Sequence, residues 1–147
     1  MQNAITELEQ ITLTSSAKDF LRETAKWAKF LSIAGFIALA LMLMGSFFIS
    51  AFYHTLPQAD LIPFDLGIVV TLIYIVVALI YIFPVYYLYQ FSAKMKEALI
   101  SKDDAVLVTA FEMLKSHYKF IGVSTIITLS IYVLLAIIIF SGVLSAA

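Results

Sequence analysis

Polar and apolar positions divide the chain sharply. No Asp, Glu, Lys or Arg occurs from Phe30 to Ala59, from Leu66 to Ala93 or from Phe120 to Ala147. A helix needs about 20 apolar residues to span the hydrocarbon core of a bilayer, and a charge at its centre costs on the order of 3 kcal/mol. Each run is long enough, so the pattern predicts three transmembrane helices, over 30–52, 66–91 and 120–145. Between the second and third, residues 92–119 are charged and amphipathic and predict a helical hairpin that extends both spans. Ahead of the first, Phe20, Leu21, Thr24, Trp27, Ala28 and Leu31 fall near one helical face, with Lys18, Asp19, Arg22, Glu23 and Lys26 filling much of the rest. Residues 16–29 are therefore expected as an amphipathic helix. It either lies in the interface with Trp27 at headgroup depth or runs straight out of the first span. Residues 1–15 have poor periodicity and are expected to be flexible, and 53–65 form a short loop with two prolines and no basic residue.

The boundaries carry local signals. Ser16 with Asp19 three residues on resembles a capping box, and Asp65 is a natural N-cap for the second span. At the hairpin turn, Ser101 is expected to cap with Asp104 three residues on, while Asp103 and Asp104 favour the positive end of a helix dipole. Pro84 removes a backbone donor and crowds the carbonyl of Ile80, which predicts a kink in the second helix. Tyr86, Tyr87 and Tyr89 around that point fit an aromatic belt.

All nine Lys and Arg lie before the first span or between the second and third. The positive-inside rule then puts the N-terminus and the hairpin in the cytoplasm, and the Pro-rich loop and C-terminus outside. The run before the first span is long and of mixed charge, unlike a cleavable signal, so that span is expected to be retained.

Hydrophobic residues make up 63% of the 147 and charged residues 13%, about half the charged share of an ordinary soluble domain. The absence of cysteine excludes disulfides, thiolate metal sites and cysteine nucleophiles. His54 and His117 have no second ligand at helical spacing, so no metal site is expected. No phosphate loop, serine elbow or convergent acid–base pair occurs, and no enzyme activity or cofactor is expected. Basic residues alternate with acidic ones, which gives no support for nucleic-acid binding.

Small residues and hydroxyls offer packing candidates. Ala34, Ala38 and Gly45 lie near one stripe of the first span, a candidate for close helix approach. On the second helix one seam runs Gly67, Thr71, Tyr74, Ala78, Tyr81, Val85, Leu88, Ser92, Met95, Leu99. On the third it runs Leu107, Phe111, Leu114, Tyr118, Ile121, Thr125, Thr128, Tyr132, Leu135, Ile139. Pairing Leu99 with Leu107 sets Tyr81 level with Thr125 and Tyr74 with Tyr132. Hydroxyls in hydrocarbon need partners, so Thr71, Tyr74, Tyr81, Thr125, Thr128 and Tyr132 are expected to form an interhelical polar seam, structural in role.

The segments LRETAKWAKFLSIAGFI, FPVYYLYQFSAKMKEAL and FEMLKSHYKFIGVSTIITLSIYVL, within about Leu21 to Leu135, resemble a family of small Bacteroidetes-type bacterial membrane proteins classed as a domain of unknown function. The resemblance implies an integral protein of the bacterial inner membrane and transfers no catalytic or binding residue. The fold expected is all-α and membrane-integral, with three transmembrane helices, an N-terminal amphipathic helix and a cytoplasmic helix–turn–helix extension. A non-enzymatic scaffold or accessory subunit, meeting a membrane-protein partner or a second copy through the hairpin, is the first functional expectation. An oligomeric pore or transporter subunit is the alternative. The lipid bilayer is a partner in either case.

Overall fold

A computed structural model describes residues 13–55 and 65–145, with side chains of the last helix described as far as 141. The expectations for a flexible N-terminus and for both prolines of the connecting loop fall outside these residues, apart from the loop's two ends. The described chain is three helices: α1 (Ser15–Tyr53), α2 (Leu66–Ser101) and α3 (Asp104–Ser145). They contain 39, 36 and 42 residues, hence run about 54–63 Å. Each is long and apolar enough to cross a membrane and exceeds the roughly 40–45 Å of a bilayer with its headgroups. The excess gathers at the end of the molecule that carries the basic residues.

Residues 16–29 do not form a separate helix. They are the first turns of α1, which continues unbroken into the first span. Its N-cap is Thr14, not Ser16: the Thr14 side chain accepts from the Ala17 amide at 3.2 Å. Asp19 pairs with Arg22 instead of closing a capping box. Asp65 caps α2 as the sequence indicates, its Oδ1 accepting from the Ile68 amide at 3.0 Å.

The hairpin turn corrects a second cap. Ser101 is the last residue of α2, and its hydroxyl donates back to the Glu97 carbonyl. Lys102 turns the chain in the left-handed region (φ 57°, ψ 37°), with its amide on the Ala98 carbonyl. Asp103 then caps α3, its Oδ1 accepting from the amides of Ala105 at 2.8 Å and Val106 at 3.4 Å. Asp104 follows in the first turn, where its charge meets the positive end of the dipole. A left-handed Lys102 ends α2 late enough to leave Ser101 inside it, so the next short acceptor, Asp103, takes the capping position.

α1 and α2 pack antiparallel along their length. Ser92 bonds to Ala25, Gly35 lies under Val85, Gly67 lies against Ser50, and Thr71 bonds to Ser46. α3 joins them at the basic end. There Ala25, Ala28, Phe91, Met95 and Ala110 form a closed core, with Leu21, Leu88, Leu99, Leu107, Met113 and Leu114 around it. Phe91 and Met95 are fully enclosed, and where this end projects into water each contributes about 1.5–3 kcal/mol by leaving solvent. Farther along, from Ile121 to Ser141, α3 is exposed at every position except the half-buried Ser124.

Candidate functional site

The α2 seam read from the sequence is the buried one, but it faces α1. Gly67, Ala78, Ser92 and Met95 are buried and the rest half-buried, apart from an exposed Tyr81. On α1 the matching face is Ala25, Ala28, Ser32, Gly35, Leu39, Ser46 and Ser50. Ala34, Ala38 and Leu41 are exposed, and a Cβ on Gly45 would meet nothing within 4 Å. The small-residue stripe expected there therefore points away from α2. Ser32 and Ser46 are buried because each satisfies its hydroxyl within its own helix, on the carbonyls of Lys29 (2.8 Å) and Leu43 (2.7 Å).

The face α3 turns to the bundle is Leu107, Ala110, Met113, Leu114, His117, Phe120 and Ser124, so Leu107 and Leu114 of the expected seam do pack inward. Phe111, Tyr118, Thr125, Thr128 and Tyr132 are exposed. One residue turns a helix by about 100°, so the neighbouring phase puts a partly different set inward. The levels also differ. Tyr81 stacks edge-on against Phe120, not Thr125, and His117 meets Pro84.

These shifts separate the six residues of the expected polar seam. Thr71 donates to the Ser46 carbonyl of α1 at 3.3 Å. Thr125 donates to the Ile121 carbonyl of its own helix at 2.8 Å. Tyr74 is half-buried, and Thr128 and Tyr132 are exposed. Among the described residues no hydrogen bond links the hydroxyls of α2 to those of α3, so the expected cluster is not assembled.

The polar contact that does join α2 to α3 is His117 with Pro84. Pro84 lies buried inside an uninterrupted α2. Its carbonyl receives His117 Nδ1 at 2.8 Å. A carbonyl only accepts, so Nδ1 carries the proton in this contact. Proline marks the position by sequence, but its histidine partner is visible only once the α2–α3 level is known.

At the opposite end His54 Nε2 stands 3.2 Å from Asp65 Oδ2, across the loop joining α1 and α2. The same carboxylate caps α2 through Oδ1. This contact closes a helix pair and brings no further ligand: no cluster of His, Cys, Asp and Glu suited to a metal occurs among the described residues.

A groove of about 190 Å³ lies between α1 and α2 at the basic end, beside a shallower depression on α1 lined by Asp19, Arg22, Glu23, Lys26 and Trp27. Arg22, Lys26, Lys29 and Lys96 border the groove, over a floor of Ala25, Ser92 and Leu99 with the exposed Ile100 at its edge. No carboxylate lines it. The convergence of these charges depends on Lys96 of α2 lying beside the basic turns of α1.

Three helices of this length and hydropathy are the build of a multi-pass helical membrane protein. No protein-family model, curated protein or solved structure matches the chain.

Proposed function

We propose that the chain is a non-enzymatic scaffold or accessory subunit of a bacterial inner membrane, in line with its resemblance to small bacterial membrane proteins. Its basic end and hairpin are cytoplasmic, and its C-terminus is external. The observation that supports this most is an apolar stripe on the projecting part of α3. Val108, Phe111 and Tyr118 are 60%, 45% and 66% exposed at helical spacing, with the exposed Lys115 between Phe111 and Tyr118 on the same stripe. Val108 and Phe111 precede the apolar span, where lipid tails do not cover them. An exposed apolar stripe beside a satisfied core fits a surface for another protein.

A photo-crosslinking amino acid at Phe111, expressed in the native membrane, tests this. A discrete heavier product that disappears on Val108→Glu supports the scaffold. Absence of any protein adduct, with the crosslinker reactive, contradicts it.

A second reading, an oligomeric pore or transporter subunit, rests on the outer part of α3. Thr125, Thr128 and Tyr132 lie on one exposed stripe there, available to line an axis between several copies. Single-channel or flux measurements on reconstituted protein separate this reading from the first.

A further inference from the structure

We infer that the groove between α1 and α2 at the basic end binds the headgroup region of an anionic phospholipid. The observations are charge, floor and depth.

Four cations border the groove. Arg22 is partly engaged, with Asp19 at 3.2 Å. Lys26, Lys29 and Lys96 have no carboxylate within ion-pair distance among the described residues, since the other ion pairs there join Lys94 to Glu97 and His54 to Asp65. Three free ammonium groups drawn from two helices therefore surround one depression. An anion placed there gains attraction from all of them and meets no acid in the lining.

The inner end of the floor suits the other half of a lipid. Ala25, Leu99 and Ile100 are apolar. Ser92, the polar residue among them, has already donated its hydroxyl to the Ala25 carbonyl at 2.8 Å. Ala25, at the inner part of the floor, is where the glycerol of a phospholipid would sit, and Leu99 and Ile100, about 8–9 Å outward of Lys94 along α2, would lie beside its headgroup. At about 190 Å³ the groove is smaller than the roughly 300–1,000 Å³ that encloses a whole drug-sized ligand. It accommodates part of a molecule whose remainder lies elsewhere, as a lipid's chains lie in the bilayer.

The depth agrees. Lys29 is the last charge before the apolar run of α1, and Lys94 the first after that of α2. The groove starts at this level and follows α1 outward from Lys29 to Arg22, about 10 Å. That spans the headgroup layer, roughly 5–8 Å thick on each side of the hydrocarbon, and reaches a little beyond it. Trp27, on the adjoining face of α1, is the residue type enriched at this depth. Basic pockets between helices at a membrane surface are suited to anionic headgroups, and each nearby Lys or Arg shifts binding about fivefold.

The sole tryptophan, Trp27, provides the readout. The full chain is reconstituted in phosphatidylcholine containing increasing fractions of brominated phosphatidylglycerol, or of brominated phosphatidylcholine as reference. Preferential quenching of Trp27 by phosphatidylglycerol, about fivefold or more in relative binding constant at low salt, is expected. Lys26→Gln/Lys29→Gln/Lys96→Gln should abolish that preference while leaving equal quenching by both lipids, which shows the protein still inserted. The triple arginine variant should retain it. Equal quenching of the wild-type chain by both lipids, or a preference unchanged in the glutamine variant, overturns the inference. So does displacement of the lipid by millimolar inorganic phosphate at constant ionic strength, which would make the groove a site for the free anion.

Discussion

Gly67→Ala probes the α1–α2 seam at its tightest point. A Cβ there would stand 2.9 Å from Ser50 Oγ, 3.1 Å from Asp65 Oδ1 and 3.2 Å from Ser50 Cα. The hydroxyl can rotate away. Ser50 Cα moves only with α1, and Asp65 is held by its capping bond and by His54. The helices must part locally, and such overpacking costs about 1–3 kcal/mol. Alanine's higher helix propensity offsets at most about 1 kcal/mol of that, leaving a net loss of up to about 2–3 kcal/mol. Gly45 is the control, because its Cβ would meet nothing within 4 Å. Gly45→Ala should leave stability unchanged or raise it by up to about 1 kcal/mol. The two glycines separate the observed phase of α1 from the alternative in which Ala34, Ala38 and Gly45 face the partner helix. Both variants are measured by reversible denaturation in mixed micelles of mild detergent and SDS, followed by circular dichroism and Trp27 emission. A loss at Gly45 equal to or greater than that at Gly67 refutes the α1–α2 packing.

The same titration checks three further expectations. His117→Ala should cost about 1 kcal/mol, the usual net value of one hydrogen bond, with His117→Gln recovering part of it; a neutral alanine would make the Pro84 contact incidental. Lys102→Gly should stabilise by about 1 kcal/mol, because Lys102 is the sole non-glycine residue at positive φ among those described and glycine removes the steric cost. Asp65→Ala should cost about 1 kcal/mol through loss of the α2 cap, and His54→Ala only a few tenths, since a solvent-exposed polar contact of this kind contributes little; equal losses would mean that the His54 contact, not the cap, carries Asp65's effect.

The three helices and the Asp65 cap were legible because charge is excluded from hydrocarbon and short acceptors suit helix starts. The buried α2 seam was legible too, since Gly67, Ala78 and Ser92 interrupt an otherwise bulky apolar run at helical spacing. The facing helices were not. In α1 nearly every position from Phe30 to Tyr53 tolerates lipid, so apolar spacing does not select one face. The informative signal was the set Ala25, Ser32, Leu39 and Ser46 at heptad intervals, with Ala28 and Gly35 between. It is masked in sequence because a serine becomes a packing residue only when its hydroxyl bonds to its own backbone, as Ser32 and Ser46 do. For α3, the inward face and its level against α2 depend on how the turn is built. Moving the cap from Ser101 to Asp103 and placing Lys102 in the left-handed region alters both. Tyr81 accordingly meets Phe120 rather than Thr125, and the polar seam gives way to the His117–Pro84 contact. The basic groove depends on the same tertiary placement, since Lys96 joins Lys26 and Lys29 only when α1 and α2 lie side by side.

The central claim is that α2 crosses the membrane with its basic end in the cytoplasm. The chain has no cysteine, so single cysteines at Thr55 and Lys102, both exposed, report on the two ends without background. Spheroplasts carrying either variant are treated with a membrane-impermeant maleimide before and after lysis. Thr55→Cys should label in intact spheroplasts, and Lys102→Cys only after lysis. Labelling of Lys102→Cys in intact spheroplasts with Thr55→Cys protected would invert the orientation, and labelling of both from one side would show that α2 does not cross.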